Sequence, residues 1–400
     1  MAERSGAREG ARREKFSPGH SLFSLGYYGA NAVYQGYMSL FYAQIGMSKP
    51  QLGGVSAATA VAALAAQPLW GMLGDRAQNR RALLCALCAA SAAALPLALA
   101  SEGFLWQLFA AAIFYALFCA LLPLGDAILL ERAGGAFGAY RLAGGASFAI
   151  VGGAFGALRG RLGASGAIWT AAGILLLAAA AAWALPNAPG RQRRARVSMV
   201  ALLRDRRLLR MLGFLLPVQM TMGFFYTFYA PHFKALPGGG DALLGLGYFI
   251  SAASEAPYLL LSGKIYRRFG AERPMCAAAA LLCARWLLLG LSPDAGAALL
   301  SQILHGGGFI VVTVSMAHWI AENVPEELRA SGQALLNMVS FGAARAAGNL
   351  LGGLLAGRIG YGGGFLAGAA VCALALCAFA PAALRRGGAG RKRSRMDANV

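Results

Sequence analysis

Runs of about twenty apolar residues, separated by short polar stretches, follow one another almost from end to end of this 400-residue chain. That is the length a helix needs to cross the hydrocarbon of a bilayer at about 1.5 Å rise per residue. Backbone in lipid has no water to bond to, so such runs specify helices that satisfy their own amide groups. Composition agrees. The AVILMFWYC share is 58% and only 13% of residues are charged, against roughly 25% charged in a soluble domain.

Apolar length, with Gly, Pro and charged residues as punctuation, places six spans at about Ser17–Gln44, Gln51–Leu73, Ala82–Ala100, Phe104–Leu130, Arg141–Leu158 and Ala167–Leu185. Pro186 to Arg210 then holds two prolines and eight arginines, including Arg191, Arg193, Arg194 and Arg196, and cannot lie in lipid. A second set follows at about Leu212–Phe233, Leu243–Ile265, Pro274–Leu291, Ala295–Ile320, Ser331–Ala356 and Tyr361–Ala382. The expected fold is an all-α membrane protein of 12 transmembrane helices in two six-helix halves, 1–186 and 211–384, joined by a basic linker, 187–210, and ending in a basic, disordered tail, 385–400. Chains built from two repeated halves of this kind bind solutes near the midplane between them.

The net charge of +20 does not gather on one face, as a nucleic-acid partner would require. It alternates with the spans. The N-terminal arm, Arg76/Arg80/Arg81, the linker, Lys264/Arg267/Arg268 and the tail fall on one side, and only Lys49, Arg159, Arg161, Lys234 and Arg358 on the other. By the positive-inside rule both termini are cytoplasmic and the chain is multi-pass in the cell (inner) membrane. The first span is too long for a secretory core and reads as an uncleaved anchor.

All seven cysteines lie in apolar runs, where Cys is a small hydrophobe. Cys85 and Cys88 have no second pair and no His nearby, so neither a metal nor another cofactor is expected. A membrane enzyme would need a nucleophile or metal constellation, and no G-x-S-x-G or H-E-x-x-H occurs. A receptor would be expected to add a signalling module, for which the tails are short. The partners implied are the bilayer, a small solute and protons.

An ionisable side chain inside a span costs roughly 2.5–3.5 kcal/mol or more and is by default a functional residue. Glu255 stands about ten residues from Lys264, near mid-bilayer, where burial disfavours a lone carboxylate's charged form. It is read as a proton-coupling or substrate group, or as a static partner of Arg285. His305 either exchanges a proton or holds two helices together by a hydrogen bond. Asp126 either lines the site or pairs with Arg141. His318 and Arg345 are the other ionisable residues in the second set of spans, and His318, near Glu322, reads as structural. Asn31, Tyr34, Gln35, Tyr226, Tyr229, Gln302, Gln333 and Asn337 could supply the polar and aromatic walls of a cavity.

The segment from Gly71 to Arg81 (GMLGDRAQNRR) resembles the loop signature between spans two and three of the major facilitator superfamily, with Gln78 in place of the usual Gly and Asn79 in place of a basic residue. The resemblance implies that Asp75 latches one access state, with Gly71, Arg76 and Arg80 in the same gate. Tyr140-Arg141-Leu142 with Gly144, Gly145, Ser147 and Phe148 is similar to the start of span five in permeases related to lactose permease and phenylpropionate permease. Glu255, Arg285-Trp286 and Gln302-Ile303-Leu304-His305 resemble spans eight to ten of the same group. In that group residues of these kinds serve proton coupling and sugar binding, and a carboxylate follows the His where this chain has Gly308. The resemblance thus implies a monomeric, proton-coupled symporter that imports a sugar, nucleoside or aromatic acid. An exporter of the same fold is the alternative, disfavoured because span five lacks the proline of the exporters' glycine-rich signature.

Overall fold

The computed structural model describes residues 18–133, 137–187, 189 and 199–397, and all regular structure among them is helical. The spans, in chain order, are α1 (Pro18–Gln44), α2 (Lys49–Arg76), α3 (Arg80–Leu99), α4 (Phe104–Leu130), α5 (Phe137–Leu162), α6 (Gly166–Trp183), α7 (Arg206–Ala235), α8 (Asp241–Phe269), α9 (Glu272–Leu291) and α10 (Ala295–Asn323). A last helical run is broken at Gly360, whose φ of 77° ends one helix and starts the next. It yields α11 (326–359) and α12 (from 361). All of these but α1 belong to runs long and apolar enough to cross a membrane.

Caps explain where several helices begin. Ser48 and Gln51 form a reciprocal capping box at α2, Asn79 accepts the Ala82 amide at α3, and Asp294 accepts the Ala297 amide at α10. Asp205 accepts the amides of Arg207 and Leu208 and starts α7 inside the stretch assigned to the linker. The spans thus run a few residues beyond their apolar cores. At the far end the backbone stays helical to Asp397, with no proline after Pro381 to stop it, where the sequence had suggested a disordered tail.

Among the first six helices α1 packs on α5 and α6, α2 on α4, and α3 on α6; among the last six, α7 packs on α11 and α12, α9 on α10 and α12, and α8 on α10. The two groups meet along α2–α11 and α5–α8, with α1 against α7. Both crossings depend on glycine. A Cβ on Gly53 of α2 would strike the Asn349 carbonyl of α11, and one on Gly245 of α8 would lie 2.5 Å from the Gly153 carbonyl of α5.

These crossings lie toward the end of the bundle where α1 joins α2, and polar contacts seal it. Arg159 of α5 pairs with Asp241 of α8 at 3.1 Å and donates to Gln44 of α1 at 2.9 Å, while Lys234 of α7 reaches the same Asp241 oxygen at 3.1 Å. Just inside, Tyr37 donates to the Gly152 carbonyl at 2.6 Å and Tyr248 to the Gly36 carbonyl at 2.8 Å, tying α1 to α5 and to α8.

Candidate functional site

A cavity of about 600 Å³ lies between the two helix groups, a volume typical of small-molecule sites. Its first wall comes from α1, α2 and α4. There Tyr27, Tyr34, Tyr115 and Phe118 make an aromatic surface in which Tyr27 stacks on Phe118 at 5.0 Å, with Gln35, Ser39, Ser56, Thr59 and Gln67 as the polar groups. The second wall comes from α7 and α11, with Tyr226, Thr227, Asn337, Phe341, Arg345 and Asn349. The cavity extends toward the end where α2 joins α3, and its lining residues Gln67, Pro123 and Asn337 are exposed there.

Arg345 is carried into this wall by a π-helical turn, Met338–Ala343, immediately before it. Such turns rotate the residues that follow and recur at functional sites. Its guanidinium lies 4.7 Å from the centre of the Tyr226 ring and 5.1 Å from that of Phe341. Asp126 of α4 lines the cavity from the other side and has a partner of its own.

Glu255, Arg285 and His305 come together, but behind the cavity wall. Two breaks bring them there. α8 is interrupted at Ser254 and α10 by a 3-10 turn, Ser301–Leu304. The breaks dock on each other: the Gly306 amide donates to the Ser254 hydroxyl at 2.9 Å, and any side chain at Gly306 would strike the Ser254 carbonyl. Glu255 Oε1 is thereby set 3.2 Å from His305 Nε2. Arg285 is wholly buried, donates to Gln302 at 2.7 Å and lies 4.0 Å above the Phe225 ring; its Nε and Nη1 have no partner. His305 packs edge-on against Tyr226, whose other side faces the cavity. Gly308 is pressed on the Leu282 side chain of α9, which would have to move to admit a carboxylate at that position.

Of the residues assigned to a cavity from sequence, Tyr34, Gln35, Tyr226 and Asn337 line this one, as does Asp126. Four others stand apart from it. Asn31 accepts from Gln35 at 2.8 Å, Tyr229 is buried among Phe225, Phe233 and Tyr248, Gln302 is taken up by Arg285, and Gln333 donates to the Ala317 carbonyl at 2.9 Å. Helix rotation decides which face a polar residue occupies, and apolar length does not report it. The Arg141 side chain lies outside the described residues. In the α2–α3 loop Asp75 pairs with Arg80 at 3.6 Å, Arg80 also donates to the Gly74 carbonyl at 3.0 Å, and Gly71 and Arg76 are exposed. His318 stacks on Tyr266, which donates to Glu322 at 2.8 Å.

A family model described as the MFS_1 like family matches residues 20–366. Maltose permease of Geobacillus stearothermophilus is 27% identical over 322 residues, which is 78% of this chain and 80% of that protein. Among solved structures, the nucleoside transporter NupG superimposes with a TM-score of 0.80 at 17% identity, over 91% of this chain and 98% of that one. A bacterial homologue of the human lysosomal transporter Spinster, in an inward-facing and occupied conformation, gives a TM-score of 0.73 at 13% identity over 92% and 96% of the two chains.

Proposed function

This chain belongs to the MFS_1 like family of membrane transporters with the major facilitator fold, and on that premise we propose that it is a proton-coupled symporter that imports a small organic solute by alternating access. The observation that carries the reading is the contact of Glu255 with His305 at 3.2 Å, one ring behind the cavity wall. One proton held between these groups neutralises Glu255. Once the proton leaves, the carboxylate has Arg285 nearby, a buried cation with two unmet donor nitrogens. Each state of the pair favours a different set of neighbours, and Tyr226 touches both the pair and the cavity. Substrate occupancy and protonation can therefore bias one another through a single side chain.

The direction, import, rests on the absence from span five of the proline in the exporters' glycine-rich signature. If the basic connections are cytoplasmic, the cavity described above faces inward and the sealed end, at Arg159 and Asp241, faces outward. The two helix groups, 1–186 and 211–384, would rock about the cavity. The α2–α3 junction with Asp75 and Arg80 would close the inner side in the opposite state. The substrate class is a sugar, nucleoside or aromatic acid; the first two are the classes named for maltose permease and NupG.

The test is uptake of labelled members of the three classes into proteoliposomes under an inward proton gradient, with and without a protonophore. Accumulation that the protonophore collapses is the expected result. Accumulation that ignores the protonophore would overturn proton coupling, and substrate driven outward against its own gradient would overturn import.

A further inference from the structure

The cavity carries one cation whose role the coupling pair does not explain. Arg345 stands about fifteen residues from Gly360 and about nineteen from Glu326, so at about 1.5 Å per residue its head group cannot reach water along the helix. Three other cations of the spans have polar partners: Arg159 has Asp241 and Gln44, Lys234 has Asp241, and Arg285 has Gln302. Arg345, among the described residues, has only the faces of Tyr226 and Phe341. Two aromatic faces fix the guanidinium plane but take none of its N–H donors, which remain directed at the cavity. The carboxylate on the opposite wall, Asp126, is already engaged.

From this we infer that Arg345 is the anchor for an anionic group on the transported solute, and that the solute is a small organic carboxylate with a flat apolar body. A planar, always-charged fork with free donors matches a carboxylate through two parallel hydrogen bonds. The facing wall supplies the complementary half, since the rings of Tyr27, Tyr34, Tyr115 and Phe118 present a surface for a flat body. Anchor and platform belong to different helix groups. A solute that engages both holds the groups together, whereas one that lacks the charge leaves the half-buried Arg345 without an anionic partner. Phe341 and Arg345, four residues apart, lie on one face of α11 and meet there.

The inference rests on reading the cavity as the transport path, but its test needs neither a gradient nor coupling. Calorimetric binding to the purified full-length chain in detergent would compare indole-3-acetate with indole-3-acetamide, which has the same shape without the charge, and with maltose and uridine. The acid is expected to bind about ten- to hundredfold more tightly than the amide, the range of a charge-assisted hydrogen bond. Arg345→Gln should remove that preference, bringing the acid's affinity to that of the amide. Arg345→Lys should keep part of the preference, and thermal unfolding of each variant separates a lost anchor from a lost fold. Equal binding of acid and amide by the unaltered chain, an unchanged preference in Arg345→Gln, or binding of maltose or uridine in preference to the acid would each overturn the assignment. Failure of proton-driven uptake with the acid preference intact would overturn the coupling reading alone.

Discussion

A single proton between Glu255 and His305 changes what Arg285 experiences, and glutamine at position 255 keeps the shape of the carboxyl group without its charge. Glu255→Gln is therefore expected to retain exchange of labelled substrate across proteoliposomes and to lose uphill accumulation. Accumulation at the unaltered level would remove Glu255 from the coupling step. At this scale the sequence was informative about cost and silent about direction. Ionisable residues in apolar runs are visible as expensive, which is how Glu255, Arg285, His305, Asp126 and Arg345 came to notice. Which of them meet depends on helix rotation. Gln302 and Gln333 turn toward partners inside the bundle, Tyr229 into an aromatic core, and Arg345 into the cavity after a π-helical turn whose sequence, MVSFGA, carries no obvious marker.

The spans themselves were legible because apolar length is a local property, and lipid leaves the backbone one spanning solution in a chain like this. Helix ends were less so. α7 starts at Asp205, an N-cap embedded in a basic stretch, and the 3-10 turn at Ser301–Leu304 interrupts a run that reads as one continuous span. The crossings between the helix groups depend on glycine, and Gly245 makes the point testable. Leucine at that position would press on the Gly153 carbonyl and on Gly156. Overpacking of this kind costs about 1–3 kcal/mol, and it falls on the conformation in which α5 and α8 touch. Gly245→Leu should lower the thermal unfolding temperature and slow uptake, while Gly245→Ala should do so less. A leucine variant that melts and transports like the original would mean that the crossing tolerates separation.

For the molecule as a whole, the sealed end is held by one charged cluster that bridges α1, α5, α7 and α8. Arg159 and Asp241 are largely buried, and although Lys234 stays with Asp241, removing the Arg159 guanidinium detaches α5 from both α1 and α8 at this end. A loss of about 1.4 kcal/mol at a contact made in only one state shifts a two-state equilibrium tenfold. Arg159→Gln is expected to favour the opposite access state. Cys119, a cavity-lining residue, offers a native reporter. A membrane-impermeant thiol reagent applied from the α1–α2 side should label Cys119 faster in Arg159→Gln than in the unaltered chain. Equal labelling would show that the glycine crossings alone keep that end shut.

The cavity with one sealed end also makes inhibition sided. A molecule with the right head group but too long a body could enter from the α2–α3 side, occupy both walls and protrude, so that the helix groups could no longer close behind it. The same molecule offered from the other side would first have to be swallowed whole, which its length forbids. Such a plug would block the protein from one face of the membrane and be inert at the other, and its permitted length would measure how far the two helix groups move.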